Sequence, residues 1–155
     1  MATVIRGDDN FDTAVGTDPD ISPNAWHRFL GVATNYTTAN SVLDFNASVH
    51  TGSNLTESGG QITVSVAGMY LISFMGSRYS SVDGSWDWSL GMNSSEVPNT
   101  RIFITGNNGA SYDSSSFTVP VQLAVGDTVF VQGSGHLHGS TTNSMTYFTG
   151  VRLGA

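Results

Sequence analysis

Residues 60–78, with the sequence GQITVSVAGMYLISFMGSR, contain no charged side chain before Arg78. Apolar and polar residues alternate through 61–66, which is the pattern of a strand with one buried face. Both alternating sets are largely apolar in 69–74, so this second run has apolar side chains on two faces. Gly68 lies between the runs, where a tight turn favours glycine. The stretch predicts two paired strands, the second of which is central in its sheet or meets another subunit.

Similar signals recur from Trp26 onward, separated by clusters of Gly, Asn, Ser and Asp. The predicted strands are 26–34, 40–46, 60–66, 68–78, 86–92, 99–105, 114–123, 127–134 and 144–153. No segment has helical periodicity of useful length, and 155 residues suit one domain. Eight or nine short strands predict an all-β jelly-roll β-sandwich over residues 26–155.

Residues 1–25 differ from the rest, since they carry five Asp against one Arg and only isolated apolar residues. Such a segment is not expected to fold alone. We interpret it as an extended N-terminal arm that is held by a neighbouring subunit or another partner. Its expected anchors are Val4, Ile5 and Phe11.

Composition excludes several function classes. The formal net charge is −7, and all five basic residues are Arg, which argues against nucleic-acid backbones and anionic membrane surfaces. No apolar stretch is long enough for a membrane span, and the first residues lack the apolar core of a signal peptide. The chain has no cysteine, so stability is expected to come from packing or oligomerisation.

Five motifs follow one another in an order that resembles a known family. They are VLDFN (42–46), GGQITVSVAGMYLISF (59–74), WSLGMN (88–93), SSSFTVPVQLAVGDTVFVQG (114–133) and SMTYFTGVRL (144–153). The order and spacing resemble the globular head of the first complement component, one branch of the tumour necrosis factor-like (TNF-like) jelly rolls. WSLGMN lacks the glycine that ends the family's corresponding strand. The resemblance covers about residues 26–153 and implies a homotrimer around a threefold axis, joined through apolar inner faces.

Six large apolar residues are candidates for the core or for the trimer interface: Tyr70, Ile72, Phe74, Trp86, Trp88 and Phe148. Trp86 and Trp88 are expected on one strand face, with Asp87 on the other. Burial in the core or interface is one interpretation of the two Trp side chains, because Trp buries much area. The other is a surface on which sugars stack.

The motif GHLHG (135–139) is the local sequence most suggestive of a ligand site. On a strand, His136 and His138 would point to the same side, which suits a metal ion. Alternatively, the glycines and the following STTNS favour a polar hairpin loop. Because no carboxylate or cysteine accompanies the pair, we predict neither a metal nor a cofactor.

Catalytic signatures are not recognisable in the sequence, which has neither a G-x-S-x-G elbow nor a phosphate loop. A non-enzymatic protein is therefore expected. The absence of a signal peptide and of cysteine disfavours a secreted ligand, and no collagen-like stalk precedes the domain as it does in complement-type proteins. A chain that opens at Met1 with a short arm resembles a small standalone particle component. The sequence predicts a trimeric capsid decoration or cement protein on a bacteriophage virion, with the major capsid protein or neighbouring virion subunits as partners. The alternative is a receptor- or glycan-binding head at a phage tail-fibre or spike tip, acting through loops 106–113 and 135–143.

Overall fold

The computed structural model describes residues 22–31, 35–78, 84–106, 113–140 and 145–155. These ranges contain one turn of 3-10 helix, Ser22–Asn24, and twelve strands. The strands are β1 (Ala25–Phe29), β2 (Asn35–Val42), β3 (Ala47–Thr51), β4 (Leu55–Ser58), β5 (Gln61–Val64), β6 (Gly68–Arg78), β7 (Gly84–Met92), β8 (Ser95–Glu96), β9 (Ile102–Gly106), β10 (Asp113–Leu123), β11 (Thr128–His138) and β12 (Tyr147–Gly154). Within the same ranges, no helix is long and apolar enough to cross a membrane.

The strands form two sheets, which we call sheet A and sheet B. Sheet A has the order β10-β6-β12-β1-β3, and sheet B has the order β4-β5-β11-β7-β8, with β2 also paired to β11 and β9 to β7. All pairings are antiparallel within the described ranges. The predicted all-β jelly-roll sandwich is confirmed. Strand β6 is central, since it pairs with β10 on one side and with β12 on the other.

The core lies between the sheets and is rich in aromatic rings. Phe74 of β6 is fully buried, and its ring centroid lies 5.6 Å from Phe117 and 6.4 Å from Trp88. Phe148 lies 5.5 Å from Trp26 in the same core. Tilted contacts at these distances are favourable geometries for aromatic pairs and add to the free energy gained from buried area.

Three strands, β3, β4 and the two-residue β8 (Ser95–Glu96), were not predicted, and one predicted strand is misplaced. Strands β3 and β4 occupy 47–51 and 55–58, where no strand was predicted. The predicted strand 40–46 ends at Val42, although Leu43 and Phe45 beyond it are buried in the core. Their alternation reflects burial of a loop, because a loop segment can also place every second side chain inside.

The GHLHG motif lies largely on a strand and not in a hairpin loop. Strand β11 continues to His138 because β2 pairs alongside it, with His136 opposite Thr37 and His138 opposite Asn35. Leu137 between the two histidines is fully buried, as expected for an alternating strand. The loop interpretation of this motif was wrong.

Glycine is required where two elements approach closely. A Cβ on Gly68 would lie 2.2 Å from the carbonyl oxygen of Gly154, and the φ of Gly68 is 152°. A Cβ on Gly150 would lie 2.2 Å from the indole ring of Trp26. Contacts this short are not possible for real side chains, so both residues set the spacing between β6, β12 and β1.

Residues 22–25 pack against the turn that follows β3. The backbone N–H of Asn54 donates to the carbonyl of Pro23 at 3.0 Å, and its side-chain amide donates to Asn24 Oδ1 at 3.1 Å. Gly52 N–H donates to the carbonyl of Ala25 at 2.9 Å. Residues 22–25 are therefore attached to the jelly roll, although they were predicted to belong to the arm. The predicted arm anchors Val4, Ile5 and Phe11 lie outside the described residues.

Candidate assembly surface

The outer face of sheet A consists of three rows of side chains that run across its strands, and we call these rows together the A face. The strand registers define the rows. The first apolar row is Pro120, Leu71, Val151 and Ala25; the polar row is Thr118, Ser73, Thr149, His27 and His50; the second apolar row is Ser116, Met75, Tyr147, Phe29 and Ala47. None of these positions holds Asp, Glu, Lys or Arg.

Apolar side chains on the A face are accessible, in contrast to their neighbours along the same strand. Leu71 is 37% exposed, whereas Tyr70 and Ile72 on either side are 0% exposed. The alternation along β6 thus turns one apolar set into the core and presents the other outward. Exposed apolar side chains that are contiguous on a surface usually mark a contact with another molecule.

Hydroxyl groups in the polar row already have hydrogen-bond partners within the same subunit. The Ser73 hydroxyl donates to the carbonyl of Phe117 at 3.2 Å and lies 2.9 Å from Thr118 Oγ1. Thr149 Oγ1 donates to the carbonyl of Trp26 at 2.7 Å. Burial costs free energy when it leaves a polar group without a partner, and that penalty is small here. The polar row can therefore be covered by a second subunit.

His27 lies in the polar row and stacks on Tyr147 of the second apolar row, with ring centroids 5.6 Å apart and an interplanar angle of 22°. His50 faces it directly across the β1–β3 ladder. Burial lowers the pKa of His27 from its ordinary value of 6.5, because desolvation disfavours the charged imidazolium. The His27 ring is consequently neutral at pH 7, and the A face carries no cation there.

Five of the six predicted core or trimer residues lie inside the subunit. Tyr70, Ile72, Phe74, Trp88 and Phe148 are each 0% exposed and belong to the hydrophobic core. These side chains pack in the core beneath sheet A and do not reach a partner subunit. The side chains that line the A face on these strands are their alternating neighbours, such as Leu71, Met75 and Tyr147.

The structure does not support a sugar platform made of Trp86 and Trp88. Trp88 is 0% exposed and offers no face to a ligand. Trp86 is half-buried, with the Arg78 guanidinium 4.6 Å from its ring centroid and the His136 ring 5.7 Å away in an edge-on contact. A Cβ on Gly135 would lie 1.8 Å from the Trp86 ring, so this ring also covers β11. The Trp pair serves the packing of sheet B.

His136 and His138 share one side of β11, as the strand interpretation of the motif requires. In the part of the chain that the structure describes, no three His, Cys, Asp or Glu side chains are grouped so that they could hold a metal ion. The neighbour that the structure gives His136 is the aromatic ring of Trp86. Of the loops named for the glycan alternative, residues 107–112 and 141–143 lie outside the described ranges.

The two-sheet, all-antiparallel architecture is that of a TNF-like jelly roll. Eiger TNF from S. frugiperda has a similar fold, with a TM-score of 0.62 at 16% identity over 84% of this chain and 92% of that one. Murine APRIL aligns with a TM-score of 0.57 at 18% identity over 84% of this chain and 98% of its own. At these identities the similarity shows the fold alone.

The family model of the C1q domain matches residues 29–153, and the chain belongs to that family. Domains of the C1q and TNF-like class typically form homotrimers. The class consists of non-enzymatic ligands and structural proteins. No curated protein matches this chain significantly.

Proposed function

We propose that this protein is a non-enzymatic homotrimer, assembled through the A face, that decorates the capsid surface of a bacteriophage virion. The observation that carries the proposal is the A face itself. It combines two apolar rows with a polar row whose hydroxyls are already hydrogen-bonded. The family's tendency to form homotrimers supports the same conclusion.

Threefold symmetry suits a face of this composition. Around a threefold axis each subunit contacts two neighbours, so the association closes into a ring without an unused surface. The apolar rows supply the favourable burial, and the absence of Asp, Glu, Lys and Arg from the A face removes the cost of burying unpaired charge. The trimer is therefore held by packing, in a chain that has no cysteine.

Decoration of a capsid fits the composition of the rest of the chain. Only 11% of the residues are charged, which suits broad and weakly charged contacts with a protein shell. In the proposal, Val4, Ile5 and Phe11 of each arm dock on the major capsid protein or on neighbouring virion subunits. Three arms on one trimer bind at high effective concentration, so weak individual contacts give firm attachment.

Deletion of the arm tests the proposal. The deletion should remove residues 1–21, because residues 22–25 pack on the jelly roll. We expect the truncated protein to remain trimeric but to stop co-sedimenting with purified capsids that have been stripped of the protein. The triple change Val4→Ser, Ile5→Ser, Phe11→Ser should have the same effect, while Val15→Ser serves as the matched control. Full capsid occupancy by the truncated trimer would refute the role of the arm.

The alternative function is a receptor- or glycan-binding head at a phage tail-fibre or spike tip. The outer face of sheet B favours it, since that face has a polar cleft and an exposed aromatic ring. Immunogold labelling of intact virions separates the two locations. Gold over the whole capsid supports decoration, whereas gold confined to the tail supports the alternative.

A further inference from the structure

The outer face of sheet B contains a cleft of about 260 Å³, lined by Asp87, Ser89, Arg101, Gln132 and Gly133. Trp88 points into the core, so the alternating residues Asp87 and Ser89 of β7 point outward. Gln132 of β11 lies opposite Ser89 in the ladder between the two strands. The floor of the cleft is thus built on the paired strands β7 and β11.

An ion-pair network fixes one wall of the cleft. Arg101 donates to both carboxylate oxygens of Glu96, through Nε at 3.1 Å and through Nη2, and it donates through Nη1 to Asp87 Oδ2. Hydrogen bonding from Arg101 lowers the pKa of Glu96, so both partners are charged at neutral pH. The network holds the Asp87 carboxylate in one orientation.

Two polar groups of the cleft remain available to a ligand. Among the described residues, Asp87 Oδ1 has no hydrogen-bond partner, and neither does the side-chain amide of Gln132. A carboxylate oxygen accepts up to two hydrogen bonds, whereas an amide both donates and accepts. Together they match adjacent hydroxyl groups, which donate to the carboxylate and accept from the amide.

An exposed aromatic ring lies next to Asp87 on the same face of sheet B. Phe103 of β9 is 63% exposed and lies directly opposite Asp87 in the β7–β9 ladder. Directly opposite residues have Cβ atoms about 5 Å apart. The face of an aromatic ring packs well against the apolar C–H face of a sugar ring, with the hydroxyls directed toward polar neighbours.

We propose that this cleft binds a single uncharged sugar residue, with Phe103 as the stacking platform and Asp87 and Gln132 as hydrogen-bond partners. The volume is below the roughly 300–1,000 Å³ of sites for drug-sized ligands, which limits the ligand to about one ring. The network has two carboxylates, Asp87 and Glu96, and one guanidinium, Arg101, so its net charge is negative. The whole protein also has a net charge of −7, and acidic sugars are therefore repelled.

The proposed site stays accessible in the assembled protein. It lies on sheet B, whereas the A face is the outer face of sheet A on the opposite side of the sandwich. The sugar site does not depend on the capsid role, because it uses none of the residues of the arm or of the A face.

Saturation-transfer NMR on the full-length protein tests the inference. The probes are the methyl glycosides of glucose, galactose, mannose and N-acetylglucosamine, with glucuronate as the acidic counterpart. We expect saturable transfer to at least one uncharged probe and markedly weaker transfer to glucuronate. Phe103→Ala and Gln132→Leu should each weaken the affinity by about fivefold or more, since each removes one contact.

Matched controls exist elsewhere on the protein surface, in a turn and on sheet A. Val125→Ala removes an exposed apolar side chain outside the cleft, and Gln122→Leu makes the same chemical change as Gln132→Leu at an exposed position of sheet A. Both controls should bind like the wild-type protein. The inference is overturned if no uncharged probe gives saturable transfer, if glucuronate binds equally well, or if the two cleft variants bind like their controls.

Discussion

Leu71→Asp places a carboxylate in the middle of the first apolar row, and we expect it to dissociate the trimer without unfolding the subunit. Leu71 is 37% exposed and points away from the core, so the sandwich itself loses little. In the proposed trimer the same position is covered by a neighbouring subunit. The substitution therefore separates assembly from folding.

The expected magnitude follows from the exposed fraction. Full burial of a leucine contributes about 1.5–3 kcal/mol, so the remaining 37% contributes about 0.6–1.1 kcal/mol per subunit. Burying a neutral polar group without a partner costs about a further 1–3 kcal/mol, and this is a lower limit for a carboxylate. Summed over three subunits, the loss is roughly 5–12 kcal/mol. At about 1.4 kcal/mol per factor of ten, the overall association constant falls by more than about 10³-fold.

Sedimentation velocity over a dilution series is the assay. At micromolar concentration the wild-type protein should sediment as a trimer and Leu71→Asp as a folded monomer with unchanged circular dichroism. Val125→Asp is the control, because Val125 is 66% exposed and lies in the turn between β10 and β11, outside the A face. A Leu71→Asp protein that stays trimeric at these concentrations refutes the assignment of the interface to this face.

Three further changes test the packing and the electrostatics. The pKa of His27 is lowered by burial, so its stabilising contribution is complete above about pH 6.5 and is lost as the pH falls. His27→Gln should therefore flatten the decline of the melting temperature between pH 7 and pH 5. Equal slopes of melting temperature against pH in the variant and the wild-type protein would contradict this. Gly150→Ala should lower the free energy of unfolding by about 1–3 kcal/mol, because the added methyl group overpacks against Trp26. Gly154→Ala is the control and should be neutral, since a Cβ there would meet open space. Chemical denaturation of both variants measures the difference. Hydrogen bonds from Asn93 and from the backbone N–H of residue 124 lower the pKa of Asp127. The stability that these bonds give is lost below about pH 3.8, so Asp127→Asn should remove that part of the acid dependence. An unchanged midpoint in an acid titration would count against it.

The core strands could be predicted because alternation records burial. In β6 and β12 every second residue faces the core, so Tyr70, Ile72, Phe74 and Phe148 stand out in the sequence. Strands β3 and β4 could not be found this way. Their sequences, ASVHT and LTES, lie at sheet edges and are largely exposed, so no apolar face marks them.

Sites that depend on tertiary pairing left no local signal. Asp87, Arg101 and Gln132 meet in one cleft although they are far apart in the sequence. The stacking of His27 on Tyr147 joins the first and the last strand of the described domain. The A face, in contrast, did leave a local signal. Residues 69–74 are largely apolar on both strand faces, and Tyr147, Thr149 and Val151 alternate with Phe148 and Gly150.

The mass of the intact full-length protein in solution, measured by native mass spectrometry, tests the central claim most directly. A homotrimer built on the A face predicts about 49 kDa, three times the 16.3 kDa of one chain. A stable species at 16.3 kDa as the only form at micromolar concentration would contradict it.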